Sequence, residues 1–138
     1  MSTDIRPEIS KRKPFWISKH RFYELKHFCL QYSEWQDELK LISCGKHPLA
    51  EEKIGKSAGP GDPVLSCVIK REELNDHIDM VDKAAKVCSE ELGKYVFKGV
   101  TRGISYEHLL AQNGIPCCKE TYYESFRRFF WILSKMRK

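Results

Sequence analysis

Apolar side chains recur at steps of three and four residues through most of the chain, which is the spacing of amphipathic helices. The first such stretch begins at Ser18, a suitable N-cap, and predicts one helix of five or six turns over 18–42. Its apolar positions are Phe22, Leu25, Cys29, Tyr32, Trp35, Leu39 and Ile42. No stretch alternates between apolar and polar residues as a strand does, so we expect an all-α protein.

A second, longer pattern predicts a helix over 63–88, with Asp62 as N-cap and Pro63 as a helix-starting proline. Its expected inward stripe is Val64, Cys67, Arg71, Leu74, Ile78, Val81, Ala85 and Cys88. A break near Ser89, which can cap the next helix, leads to a shorter helix over 90–102 that ends at Gly103.

The last 36 residues, 103–138, predict a helix, a tight turn and a longer helix. Ser105 caps the first helix over 105–113, Gly114 ends it, and the second helix runs over 118–136. The inward stripe of that second helix is Tyr122, Phe126, Phe129, Leu133 and Met136. Because Phe130 and Trp131 exceed what this stripe can bury, we expect them to contact the N-terminal helix or a second subunit.

Two segments lack a helical pattern. Residues 1–14 contain Pro7 and Pro14 and predict a flexible basic arm. Residues 43–62 are rich in glycine and proline and predict a long loop. The expected organisation is therefore a single helical domain over 15–138 of four to five helices, in which 103–138 form a helix-turn-helix.

Composition supports a folded protein, since 41% of the 138 residues are hydrophobic and 12% are aromatic. No run of eighteen apolar residues occurs, so we expect no membrane span. The first residues lack the apolar core of a signal peptide, which predicts a cytoplasmic location. The six scattered cysteines are then expected to be reduced and to act as small buried hydrophobes.

The formal net charge of +5 is concentrated at the two ends of the chain. Residues 1–26 hold seven basic and three acidic residues, and residues 119–138 hold six and two, whereas residues 70–94 hold five and seven. Two basic ends around a slightly acidic centre favour a polyanionic partner. Basic ends that only keep the protein in solution are the alternative.

In a helix-turn-helix, the start of the second helix enters the major groove of DNA. The residues that the inward stripe leaves outside, and that we expect to bind DNA, are Lys119, Glu120, Thr121, Tyr123, Arg127 and Arg128. Basic and hydroxyl side chains reach phosphates or base edges, and a carboxylate can accept from the cytosine amine. In the basic arm, Lys11, Arg12 and Lys13 are expected to clamp the DNA backbone. A helical hairpin that only closes the core is the alternative.

The segment "GISYEHLLAQNGIPCCKETYYESFRRFFWILSKMRK" resembles the C-terminal part of small phage and prophage regulators of the ArpU/RinA type. The positions that carry the resemblance are Gly114, Ile115, Pro116, Cys117, Thr121, Tyr122, Tyr123, Arg127 and Arg128. Those regulators are similar to the fourth region of sigma factors and activate late phage genes. The resemblance covers the last quarter of the chain and implies double-stranded DNA as partner. The N-terminal part resembles small phage and prophage proteins of gut bacteria, from which no activity follows.

Other chemistry is disfavoured by spacing. Cys44 and His47 have a zinc-like spacing, but the other candidate pair, His27 and Cys29, lies two residues apart in a helix and does not share a face. The segment "GKSAGPGD" lacks the first glycine of a phosphate-binding loop, because Ala50 occupies that position, and no strand precedes it. We therefore expect no metal, no cofactor and no enzymatic activity.

These observations predict a phage- or prophage-encoded DNA-binding transcriptional regulator in the cytoplasm of a bacterial host cell. The alternative is a host-takeover or anti-defence protein that binds and inhibits a host protein, with host RNA polymerase among the possible partners. The long helix and the bulky rings of Trp16, Trp35, Phe130 and Trp131 favour a homodimer, and a monomer that packs these rings inside is the alternative. The two functions differ in whether the basic residues of the last helix form an open face.

Overall fold

The computed structural model describes residues 15–48 and 63–137, and over these residues all regular structure is helical. The helices are α1 (Lys19–Leu30), α2 (Tyr32–Ser43), α3 (Pro63–Cys88), α4 (Gly93–Arg102), α5 (Tyr106–Asn113) and α6 (Lys119–Met136). The all-α prediction is confirmed. The basic arm 1–14, most of the predicted loop (49–62) and the Asp62 cap lie outside the described residues.

The predicted continuous helix over 18–42 is wrong at one position, because α1 ends at Leu30 and α2 begins at Tyr32. Between them, the Gln31 N–H donates to the Phe28 carbonyl at 3.2 Å, a bond one residue shorter than the α-helical one. The Gln31 side-chain amide donates to the His27 carbonyl at 3.3 Å, which occupies the acceptor that a continuing helix would use. The apolar spacing continues through this break and therefore does not reveal it.

The caps predicted at Ser105, Gly103 and Gly114 are confirmed, whereas Leu92 and not Ser89 is the N-cap of α4. Ser105 Oγ accepts from the His108 N–H at 3.3 Å, and Gly103 and Gly114 end α4 and α5 in the left-handed conformation with φ of 67° and 60°. Helix α4 begins three residues later than predicted, at Gly93. In the turn before it, Ser89 Oγ accepts from the Leu92 N–H at 3.1 Å.

The described residues divide into two compact units, one of residues 15–31 and 80–137, the other of residues 32–48 and 63–79. In the first unit, α1 packs against α4 and α6, and α4 packs against α5 and α6. Its most deeply buried large side chains are Phe22, Leu25, Val81, Val96, Leu109, Tyr122, Phe129, Phe130 and Leu133. The single domain expected over 15–138 stays a prediction.

Helix α1 holds α6 through both rings and hydrogen bonds. The Phe22 ring meets the Phe130 ring edge-on at 5.0 Å, so Phe130 lies against the N-terminal helix, one of the two contacts expected for it. Arg21 donates to the carbonyls of Ser134 and Arg137 at the end of α6, where helix carbonyls lack intrahelical partners. The Arg137 guanidinium in turn lies 4.1 Å from the centroid of the Phe28 ring.

In the second unit, Trp35 is buried and its ring lies 5.1 Å from that of His77 on α3. His47 is also buried, and its Nε2 hydrogen-bonds to Glu38 Oε2 at 2.9 Å. Lys70 Nζ donates to Glu73 Oε1 at 3.1 Å on the surface.

The inward stripe predicted for α3 is wrong over its first two turns. Val64 is 71% exposed and Arg71 is exposed, whereas the fully buried positions begin at Leu74. A periodic pattern identifies the apolar face of a helix, but it does not show whether another element covers that face. None of the helices that the structure describes has the length and apolarity needed to span a bilayer.

Candidate nucleic-acid interface

Two tyrosine hydroxyls join α5, the turn over 114–118 and α6. Tyr106 Oη donates to the Cys117 carbonyl in the turn at 2.5 Å. The Tyr106 N–H donates to Tyr123 Oη on α6 at 3.3 Å. This N–H lies at the first position of α5 and has no acceptor within its own helix. The turn is therefore held from both sides by side chains that the sequence pattern did not single out for this role.

The expected outward position of Tyr123 is wrong, because its side chain is buried. Its ring packs edge-on against Tyr122 at 4.9 Å and against Phe126 at 5.4 Å. The buried sector of α6 is wider than a single stripe, because α1 covers one side through Phe22 and α5 covers the other through Tyr106. At the other end, Met136 was expected inward and is exposed.

The outward face of α6 changes character along the helix. Its first two turns present the exposed residues Glu120, Thr121 and Glu124. Arg128 is exposed on the following turn, and Arg127 is half-buried at the edge of the face. The acids lie near the helix N-terminus and the bases lie further along, which is the favourable order in the field of the helix dipole. The face is open, but only its second half is basic.

Lys119 is held in an ion pair that the sequence did not predict. Its Nζ lies 2.9 Å from Glu107 Oε2 on α5. Glu107 raises the pKa of Lys119, and Lys119 holds the pKa of Glu107 below its usual value. Since both side chains are solvent-exposed, a phosphate can compete for Lys119, but the pair reduces the charge that it offers.

The cysteines of this region differ in environment. Cys118 caps α6 and is exposed, and its Sγ hydrogen-bonds to Thr121 Oγ1 at 3.1 Å. This hydrogen bond lowers the pKa of the Cys118 thiol, whereas burial raises that of the adjacent Cys117. The expectation of buried cysteines holds for Cys29 and Cys88. It is wrong for the exposed Cys44 and Cys118, and Cys67 and Cys117 are half-buried.

Three cations of α6 remain available to an anionic partner. Arg127, Arg128 and Lys135 form no salt bridge within the part of the chain that the structure describes. Of the two remaining C-terminal bases, Arg137 packs on the Phe28 ring. Lys138 lies outside the described residues. The expected backbone clamp at Lys11, Arg12 and Lys13 also lies outside them.

The candidate zinc ligands differ in their surroundings. Cys44 is exposed, His47 is hydrogen-bonded to Glu38 and Cys29 is buried in the first unit. Over residues 15–48 and 63–137, no three His, Cys, Asp or Glu side chains gather as metal ligands.

An open groove of about 610 Å3 lies beside the ends of α3 and α4. Its charged lining residues are Asp82, Lys86, Glu90 and Lys94, two of each sign. This lining gives the groove no preference for an anionic or a cationic ligand.

No family model, curated protein or solved structure matches this chain. The resemblance to regulators of the ArpU/RinA type therefore stays a prediction that rests on the quoted residues. The function has to be argued from the geometry of α5 and α6.

Proposed function

We propose that α5 and α6 form the helix-turn-helix of a phage- or prophage-encoded transcriptional regulator that binds duplex DNA. The observation that carries this proposal is the way α6 packs against the rest of the first unit. One face is buried through Tyr122, Phe129 and Leu133, while the opposite face at its start is open. A short preceding helix ended by Gly114 and a turn fastened by Tyr106 support the same arrangement.

The roles of the open residues follow from their chemistry. Thr121, Glu120 and Glu124 occupy the first two turns of α6, the part of a recognition helix that reaches base edges. A carboxylate there accepts a hydrogen bond from the cytosine amine, and the threonine hydroxyl bonds to either a donor or an acceptor on a base edge. Arg127 and Arg128 lie one to two turns further along and are assigned to phosphates, where their charge is useful irrespective of sequence. The ion pair with Glu107 reduces the charge that Lys119 offers to a phosphate.

The proposal is tested by selecting binding sites from a pool of random duplexes and measuring affinity by gel shift. Neutralising the phosphate contact with Arg128→Gln weakens binding to all duplexes and reduces the salt dependence, by about 0.9 in the slope of log K against log salt per phosphate. Glu124→Ala instead changes which duplexes are selected, with a discrimination of about 1–3 kcal/mol at the affected base pair.

Lys94→Gln serves as the control, because Lys94 is an exposed cation on α4 and forms no salt bridge in the described part of the chain. It removes one positive charge from the protein without touching α6. Equal losses for Arg128→Gln and Lys94→Gln would show that only net charge matters. Absence of duplex binding at low salt would overturn the proposal.

A second candidate function, protein binding, is favoured by the exposed start of α3. Val64, Leu65 and Ile69 are 71%, 55% and 56% exposed, and Val68 lies between them on the same side of the helix. Clustered exposed aliphatic side chains of this kind usually mark an interaction site. The partner is either a second copy of this chain, as expected for a dimeric regulator, or a host protein, as expected for a host-takeover or anti-defence protein.

Light scattering at several concentrations distinguishes these partners. A dimer that becomes monomeric in Leu65→Ser, while Leu41→Ser stays dimeric, supports self-association through α3. Leu41 is a matched control because it is an exposed leucine on α2. A mass of 16.2 kDa at every concentration would exclude the dimer, and the patch would then be available to a host protein.

A further inference from the structure

Two cations and two rings form a row along the second half of α6, here called the cation–aromatic strip, in the order Arg128, Phe15, Trp131 and Lys135. Phe15 precedes α1, and the other three residues lie on α6. The rings of Phe15 and Trp131 meet edge-on with centroids 5.5 Å apart. The Arg128 guanidinium lies 5.9 Å from the Phe15 centroid, and the Lys135 ammonium lies 5.3 Å from that of Trp131. The four side chains thus form one continuous surface with a cation at each end.

The register of α6 places this strip on the side away from the core. Arg128, Trp131 and Lys135 are spaced by three and four residues and share a face, whereas Phe130 and Leu133 on the opposite side are buried. Both cations are exposed, and both rings are half-exposed. Lys135 follows Arg128 by seven positions, so the two residues lie about 10 Å apart along the helix axis.

No carboxylate neutralises these cations within the described ranges. Neither Arg128 nor Lys135 takes part in a salt bridge there, and the nearest acid on the same face, Glu124, forms none either. The contact between a cation and a ring is only moderately attractive, so the cation can leave the ring to bind an anion. The strip therefore offers two exposed positive charges for anions and two aromatic rings for flat, apolar groups.

We propose that the cation–aromatic strip binds single-stranded nucleic acid. Unpaired bases stack on the rings of Phe15 and Trp131, and the phosphates between them contact Arg128 and Lys135. A duplex fits this surface less well, because its bases are already stacked and their faces are hidden. The inference does not rest on duplex reading by the start of α6, since the rings that offer the stacking surface are different residues. Arg128 is assigned a phosphate contact in both, so the ring variants Trp131→Leu and Phe15→Leu distinguish the two.

The test uses the full chain and a fluorescein-labelled oligothymidylate of about 12 nucleotides, with anisotropy for affinity and tryptophan emission for stacking. Single-stranded DNA should quench the emission of the wild-type protein, and Trp131→Leu should remove that quenching and lower affinity by about tenfold. The double variant Arg128→Gln, Lys135→Gln should lower affinity and reduce the salt slope by about 0.7 for each lost phosphate contact. Circular dichroism confirms that each variant is folded.

The control is Lys94→Gln, because Lys94 stands over the Tyr95 ring at 5.2 Å and forms a cation–aromatic pair outside the strip. Its affinity for the oligonucleotide should match the wild type. Phe15→Leu provides a second ring variant on a different element, so the test does not depend on substitution in α6 alone.

Three results would overturn the inference. Equal displacement of the oligonucleotide by polyglutamate would show that the strip is only a positive surface. Loss of duplex binding in Trp131→Leu with unchanged single-strand binding would assign the strip to the duplex complex. Absence of quenching would exclude stacking on Trp131. Failure of duplex reading would appear separately, in Glu124→Ala, which leaves the strip intact.

Discussion

At the scale of single residues, two tyrosines in contact, Tyr106 on α5 and Tyr122 on α6, differ in how their hydroxyls are bonded. Tyr122 is completely buried, and within the described part of the chain its hydroxyl has no hydrogen-bond partner. Burial raises the pKa of this phenol well above its usual value. The Tyr106 hydroxyl instead donates to the Cys117 carbonyl. A buried polar group without a partner loses its hydration and gains nothing in return.

We expect Tyr122→Phe to raise the free energy of unfolding by about 1 kcal/mol, because it removes an unsatisfied buried hydroxyl and keeps the ring. Tyr106→Phe is the matched variant and should lower stability, since it removes the hydroxyl that holds the turn. Urea unfolding of both proteins measures the two effects. Destabilisation by Tyr122→Phe would indicate that its hydroxyl has a partner.

The cysteines provide a second prediction at this scale. Iodoacetamide should modify Cys118 first among the cysteines of this turn, because it is exposed and the hydrogen bond from Thr121 favours its thiolate. Thr121→Val removes that bond, so the pH at which Cys118 becomes half-reactive should move upward. Tandem mass spectrometry separates Cys118 from Cys117. An unchanged pH profile in Thr121→Val would contradict this cause.

At the scale of helices, the packing of α4 on α6 depends on the absence of a side chain at Gly99. A Cβ added there would overlap the Tyr122 hydroxyl, whereas its next neighbours, the Ile104 carbonyl oxygen and Tyr122 Cζ, lie at ordinary contact distances of 3.4 and 3.5 Å. Gly99 lies inside α4, where the backbone suits alanine as well as glycine. The glycine is therefore required by one oxygen atom of the facing helix.

We expect Gly99→Ala to cost about 1–3 kcal/mol in the wild-type background, because the overlap forces α4 and α6 apart. In the Tyr122→Phe background the same substitution should be nearly neutral or stabilising, since alanine is the better helix former by about 1 kcal/mol. A double-mutant cycle from urea unfolding gives the coupling. Additive effects would show that the hydroxyl is not the obstacle.

At the scale of the whole molecule, uncharged thiols and a phenol buried in the first unit make the stability of the protein fall at alkaline pH. Burial raises the pKa of Cys88 from 9.0 to about 11 and also raises those of Cys29 and Tyr122. Above the usual pKa of a thiol, the unfolded chain releases protons that the folded chain retains. The unfolded state then binds fewer protons, so the free energy of unfolding falls as pH rises.

We expect the free energy of unfolding to decline between pH 9 and about 11 and to be insensitive to these groups at pH 7. Cys88→Ala should be less stable than the wild type at pH 7, because it leaves a cavity, but its decline over the alkaline range should be shallower. Urea unfolding at pH 7, 9 and 10.5 measures both. Equal slopes for the two proteins would rule out Cys88 as a cause.

The sequence by itself determined the helices and most of their ends, because these depend on local chemistry. Four predicted helix caps are confirmed, at Ser18, Ser105, Gly103 and Gly114. They could be predicted because a capping bond or a left-handed residue needs only a few neighbours along the chain. One exception is Gln31, where a side-chain bond to a carbonyl interrupts a pattern that stays periodic. Another is the start of α4, where Leu92 and not Ser89 is the N-cap.

Only the tertiary structure decided which faces are covered and which charges are free. Tyr123 is buried because α1 and α5 both flank α6, whereas Val64 is exposed although it belongs to an equally periodic stripe. Lys119 is paired with Glu107 across the turn, and Arg128 joins Phe15 from a distant part of the chain. Helical periodicity records the polarity of each position, but burial and pairing depend on which distant segment packs against it, and that information is not local.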